Sequence, residues 1–278
     1  MPMDEQVKVA AVQYTSTPDV AHTLERALAL GERAVKDGAQ LIVFPECFAH
    51  LGPGNSKLGV AEDLPPKGEP GPIMTQCIAF ARAHQVELVL GGFWERSPEP
   101  TRVHNTSVHV GADGQVRATY RKMHLYDVDL PDGTHLRESD TQIPGDTPVV
   151  TDTVAGRLGM TICYDVRFPE LYRKLVEQGA ELLSVPAAFT LTTGKDHWHA
   201  LLRARAIESQ CYVIAAAQEG NHFGRRQSYG HALICDPWGT VLAECGDGEG
   251  VAIARVDPAV LRRVRTAIPC LQHRRIRS

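Results

Sequence analysis

The chain has 278 residues, 43% of them hydrophobic and 22% charged, with a formal net charge of −4. That length buries a sizeable core, and the balance gives no reason to expect a nucleic acid or an anionic membrane as partner. No run approaches the roughly 18 apolar residues of a membrane span, and the start "MPMDEQVKVAAVQY" has no basic segment leading into an apolar one, so no secretory signal is expected. In chain order, "KVAAVQY" reads as a strand. "TPDVAHTLERALALGERAVKDGA" reads as a helix with Thr17 as N-cap, Pro18 in its first position and Gly38 past its end. "QLIVFPECF" gives a second strand. Residues 79–95, "AFARAHQVELVLGGFWE", are a helix end and a strand, and residues 105–122, "NTSVHVGADGQVRATYRK", two alternating strands around a Gly-containing turn.

The pattern then repeats. "RLGMTICYD", "FPELYRKLVEQGA" and "ELLSVPAAF" run strand, helix, strand, the helix carrying Pro169 in its first turn and Gly179 past its end. Residues 202–219, "LRARAIESQCYVIAAAQE", echo 79–95, and 230–247, "GHALICDPWGTVLAECGD", echo 105–122. The runs "LIVF", "LVLGG", "LLSV" and "YVIAAA" are apolar without alternation, as strands covered on both faces are. Two βαβ-type halves predict an α/β fold with two sheets face to face and helices outside, a four-layer α-β-β-α sandwich formed by residues 1–278 as one domain.

The duplication also filters residues. Pro45/Pro186 and Phe48/Phe189 are shared by both halves, whereas Glu46 stands opposite Ala187. A carboxylate ending a buried strand where the sister copy has a methyl group needs a reason. Lys122 and Cys163 also end apolar strands. Each alone has a bland reading, as a solvated charge or a small buried thiol, but the three suit one another. An ammonium favours a thiolate, and a desolvated carboxylate with a raised pKa takes the thiol proton and returns it to a leaving amine. The same ammonium, with a backbone N–H near the sulfur, neutralises an oxyanion. A histidine base, His124 or His231, is the rival enzyme reading, and a catalytically silent binding protein is the third.

"FPE" at 44–46, "YRKMHL" at 120–125 and "CYDVRFPELYR" at 163–173 resemble the nitrilase superfamily of carbon–nitrogen hydrolases, in order and across nearly the whole chain. The resemblance implies the αββα fold, a Glu-Lys-Cys triad on Glu46, Lys122 and Cys163, and a supporting role for Glu138 in "HLRESD". Within the superfamily, "KMHLYDVDLPDGTHLRESD", "SYGHALICDPWGTVLAECGDGEG" and the tail "LQHRR" are similar to the Nit branch, which implies a 2-oxo acid amide as substrate; an N-carbamoyl amino acid is the alternative. Glu46 is then the general base and acid, Lys122 and the N–H of Tyr164 hold the oxyanion, and Cys163 forms a thioester. The family also implies a homodimer or higher homo-oligomer.

An anionic substrate needs cationic partners. Arg167 is the first candidate; alternatively, Asp165, Arg167 and Glu170 form an ion-pair set bracing the helix start. Thr190, Thr193 and Trp198 are expected at the pocket rim, or else as a capped helix start packed by a tryptophan. Lys195 reads as solvated, Arg203, Arg205 and Glu208 as an i,i+3 scaffold, Asp236–Gly239 as a turn and Cys47 as packing. The end of the chain holds six arginines and no acid and reads as a surface or subunit contact. Seven cysteines without C-x-x-C spacing read as reduced thiols in a cytoplasmic setting. His197 and His199 form H-x-H with no cysteine or second histidine pair near them in sequence, so neither a metal nor a cofactor is expected.

Overall fold

The computed structural model describes residues 6–65, 68–129, 133 and 135–276. Strands Val7–Tyr14, Leu41–Phe44 and Glu87–Arg96 lie parallel as neighbours, followed by Val103–Val110 and Val116–Arg121, each antiparallel to the one before. In the second half Gly156–Met160, Leu182–Ser184 and Tyr212–Ala215 are parallel neighbours, followed by antiparallel Leu233–Cys235 and Val241–Glu244. The same order and the same directions occur twice, as the repeat predicts. Val149–Thr153 extends the second sheet, while Ala217–Phe223, Arg226–Tyr229 and Gly250–Val256 extend the first.

Alternation within the strands assigns the layers. Val9, Ala11, Leu41, Val43 and Val89 face the second sheet in a core shared with Leu158, Met160 and Val213. Their neighbours Ala10, Val12, Ile42, Phe44, Leu88 and Leu90 pack beneath helices Val20–Lys36 and Pro72–His84. Helices Pro169–Glu177 and Leu191–Ser209 cover the second sheet with Leu171, Leu175, Trp198 and Leu202. The strands are thus buried on both faces, each large side chain contributing about 1.5–3 kcal/mol of transfer free energy, and the four-layer sandwich stands. Among the described residues no helix is long and apolar enough to cross a membrane.

Two local expectations are corrected. Asp19, not Thr17, caps the first helix, its Oδ1 accepting from the His22 N–H at 3.1 Å. The Thr17 hydroxyl instead accepts from the Asp19 N–H, which leaves Pro18 outside the helix. The run "YVIAAA" is not one strand: it stops at Ala215, and after Ala216 the chain enters the first sheet as Ala217–Phe223. One residue therefore stitches the sheets together, close to where Ala187 bridges Ala217.

Candidate active site

The ends of three buried strands converge. Glu46 follows Leu41–Phe44 through Pro45, Lys122 directly follows Val116–Arg121, and Cys163 opens the short turn Cys163–Arg167 just beyond Gly156–Met160. Their exposures are 3%, 1% and 7%. Lys122 Nζ lies 3.0 Å from Glu46 Oε1 and 2.8 Å from Glu138 Oε2, so its ammonium is gripped between two carboxylates. Glu46 Oε1 also accepts from Asn105 Nδ2 at 2.9 Å and Oε2 from the Ala188 N–H at 2.8 Å, and the Cys163 thiol lies within the field of the same carboxylate.

Backbone and buried polar groups hold this arrangement. Cys163 sits at φ 48°, a left-handed conformation that lifts its side chain off the strand line, and its N–H donates to the Pro186 carbonyl at 2.9 Å. Gly92, at φ 66°, lets the Glu46 strand end come close: a Cβ there would meet Cys47 N at 2.6 Å and Glu46 Cγ at 2.8 Å. Asp165 Oδ2 accepts from the Ile162 N–H at 2.9 Å and the Tyr120 hydroxyl at 2.7 Å, tying the Cys163 turn to the strand that ends in Lys122. Glu138 is fixed in turn by the Tyr126 N–H at 2.8 Å.

The electrostatics revise the expected protonation states. Burial pushes the Cys163 thiol well above its ordinary value, the Glu46 charge adds to this, and Lys122 only partly opposes them. Glu46 is not raised. Burial is again the largest influence and pushes it up, but Lys122, the Ala188 N–H and the Cys163 thiol together hold it below its ordinary value. Burial disfavours the Lys122 ammonium, yet Glu138 and Glu46 keep it charged. The resting site is therefore thiol, carboxylate and ammonium. Such a set suits a base that removes the thiol proton as sulfur attacks, rather than a preformed thiolate.

A carbon–nitrogen hydrolase family model matches residues 8–266. The chain belongs to the carbon–nitrogen hydrolase family. This hydrolase is 47% identical over 268 residues to the deaminated glutathione amidase of Synechocystis, covering 95% of its own length and 97% of the relative's. Saccharomyces cerevisiae Nit3, a member of branch 10 of the nitrilase superfamily, superposes with a TM-score of 0.88 at 35% identity over 99% of both chains. A Glu-to-Gln mutant of an amidase from Nesterenkonia, 27% identical with a TM-score of 0.79 over 97% of this chain and 94% of that one, carries the acetamide moiety of fluoroacetamide covalently at its active-site cysteine.

The other expected residues of the hydrolase divide. Tyr164, Arg167, Thr190 and Thr193 line a narrow hollow around Cys163 with Tyr126, Ala188 and Phe189. Arg167 forms no ion pair with Asp165 or Glu170 among the described residues; its Nη1 meets His197 Nδ1 at 3.2 Å and its charge lies 5.0 Å from the Phe189 ring centre. Thr190 holds the N-cap position but makes no capping bond, pairing instead with the Thr193 hydroxyl at 2.8 Å. Trp198 is not at the rim. It is fully buried, 5.1 Å from the Phe189 ring centre, and its Nε1 donates to the His231 carbonyl. Lys195 is exposed, Arg205 pairs with Glu208 at 2.6 Å, and Asp236 closes its turn by accepting from the Trp238 and Thr240 N–H groups.

The rival histidines are engaged elsewhere. His124 Nδ1 contacts Asp165 at 2.7 Å and its ring stacks on Phe168, while His231 Nδ1 contacts Glu244 at 2.9 Å. Tertiary folding does bring His199 to the same Glu244 oxygen, at 2.8 Å, giving a His199–His231–Glu244 cluster able to hold a metal ion outside the thiol hollow. Sequence spacing does not reveal that cluster. Nor does it reveal Asn105, although a signal exists: Asn105 faces Gly230 across the duplication, as Glu46 faces Ala187.

Proposed function

We propose that this carbon–nitrogen hydrolase is a deaminated glutathione amidase, converting deaminated glutathione and water to 2-oxoglutarate and cysteinylglycine. Identity of 47% and 43% to the enzymes of that name from Synechocystis and human supports the substrate. The observation that carries the chemistry is a buried carboxylate, Glu46, paired with the Lys122 ammonium at 3.0 Å and electrostatically coupled to the Cys163 thiol. Glu46 takes the Cys163 proton as sulfur attacks the amide carbon. Lys122, oriented by Glu138, and the Tyr164 N–H, at the start of a helical turn with no acceptor inside it, stabilise the oxyanion. Glu46 then protonates the departing amine as the C–N bond breaks, leaving a thioester on sulfur. Water, losing its proton to Glu46, releases the acid, and that proton returns to sulfur.

A product assay over deaminated glutathione, 2-oxoglutaramate, an N-carbamoyl amino acid and a simple nitrile tests this. The highest kcat/KM is expected for deaminated glutathione, and Cys163→Ala loses about 10⁴-fold or more. Preference for another member of the panel overturns the substrate, and substantial turnover by Cys163→Ala overturns the nucleophile. The working unit is a homodimer or higher homo-oligomer, a reading supported by Ile207 (49% exposed), Trp238 (55%) and Ile268 (49%) around one groove with Arg274. Sedimentation equilibrium giving only the monomer mass overturns it. Seven unpaired cysteines support a reducing, cytoplasmic setting, and a fluorescent fusion excluded from the cytoplasm overturns that.

A further inference from the structure

We propose that Arg226 is the carboxylate receptor of the site, binding the acid end of the acyl group whose amide Cys163 attacks. The inference rests on the amidase reading above. Arg226 opens the strand Arg226–Tyr229 at the edge of the first sheet, just ahead of the "SYGHALICDPWG" stretch. A guanidinium offers five N–H donors. Here Nη2 reaches the Ala188 carbonyl at 3.4 Å, a long contact, and Nη1 is buried without a hydrogen-bond partner among the described residues. Nor does Arg226 form an ion pair among them. A guanidinium nitrogen buried without an acceptor is costly unless an anion meets it.

Its position says which anion. Ala188 gives its N–H to Glu46 Oε2 and its carbonyl to Arg226, so base and guanidinium flank a single residue. Arg226 lines a cleft of about 320 Å³ with Thr190, Thr192, Phe223 and Gln227, and Thr190 also lines the hollow around Cys163. Lys57, donating to the Thr141 hydroxyl at 2.7 Å, stands in the field of both Arg226 and Lys122. The buried Lys122 is already matched by Glu46 and Glu138, so an arriving carboxylate needs another cation. Arg226 supplies the planar fork that binds it through two parallel hydrogen bonds. Arg167, whose Nη1 meets His197 and whose charge lies against Phe189 and Tyr164, has no buried nitrogen without a partner among the described residues.

Steady-state kinetics on two amides of equal length tests this, one being 2-oxoglutaramate and the other its carboxylate methyl ester. In Arg226→Gln, kcat/KM for the acid falls about 100-fold, mainly through KM, while the ester changes less than about threefold. Arg226→Lys recovers part of the loss. In Cys163→Ala, which performs no chemistry, calorimetry detects 2-oxoglutarate, and adding Arg226→Gln weakens that binding by a similar factor. Retained preference for the acid, or equal binding of 2-oxoglutarate with and without Arg226, overturns the assignment. Acid and ester falling together in both Arg226 variants with unaltered melting overturns it too. Wild-type chain that cleaves neither these amides nor deaminated glutathione and forms no acyl adduct at Cys163 overturns the amidase reading itself, whatever the Arg226 variants do.

Discussion

The Glu46 carboxylate accepts from three donors, the Lys122 ammonium, Asn105 Nδ2 and the Ala188 N–H, beside the Cys163 thiol. Donors to a carboxylate stabilise its charged form, so their sum outweighs the desolvation that would raise it. The sign for pH follows. A base held below the ordinary glutamate value of about 4.3 stays ready throughout the neutral range, while the raised Cys163 and Lys122 values keep thiol and ammonium intact on the alkaline side. kcat/KM is expected to be flat through neutral pH and to fall only below about 4.3 as Glu46 takes up a proton. An acid limb centred near neutrality would contradict this, and a pH–rate profile measures it. The carboxylate was legible because its sister position is alanine; its lowered pKa was not, since every one of its donors comes from a distant segment.

The elements behave as positioning devices. Strand Glu87–Arg96 passes the Glu46 corner at Gly92, where positive φ and the lack of a Cβ both matter. Gly92→Ala is expected to cost about 1–3 kcal/mol of stability, by strain and by displacing the Glu46 backbone, and to lower kcat with it. Urea midpoints and steady-state kinetics read the two effects, and an alanine variant with wild-type kcat would show that the approach is unimportant. Strands, helices and their order were readable from apolar runs and from proline and glycine punctuation. The choice for Trp198 between pocket rim and helix packing was not legible, because a helix start near the site says nothing about which face turns inward; the structure takes the packing reading. The break at Ala216 was hidden for a similar reason: an unbroken apolar run does not reveal that it changes sheets.

At the scale of the molecule, stability is linked to pH through a buried histidine that ties together segments of the first sheet. His222 bridges the Ser16 carbonyl and the Ser228 hydroxyl, and burial depresses it from 6.5 to about 4. A depressed histidine contributes fully above its unfolded value and loses that contribution as pH falls. Between about pH 6.5 and pH 4 the fold is expected to lose up to about 3 kcal/mol on this account. His222→Gln should flatten that slope in urea titrations; an unchanged slope would assign it elsewhere. The overall architecture was legible because it is encoded twice, whereas contacts between the copies, such as Ala188 to Glu46, have no local signature.

The doubled strand order has an outcome for stoichiometry. Pairing of Val9 with Leu41 in one sheet matches Leu158 with Leu182 in the other, which makes Tyr14 the counterpart of Cys163 as Ala187 is of Glu46. Where a second reaction centre would lie, a phenol wholly shielded from solvent fills the room of the sulfur, and a methyl group replaces the acid. The chain thus carries two scaffolds and furnishes one, so acyl loading can saturate at a single equivalent per polypeptide although the backbone has two matching corners.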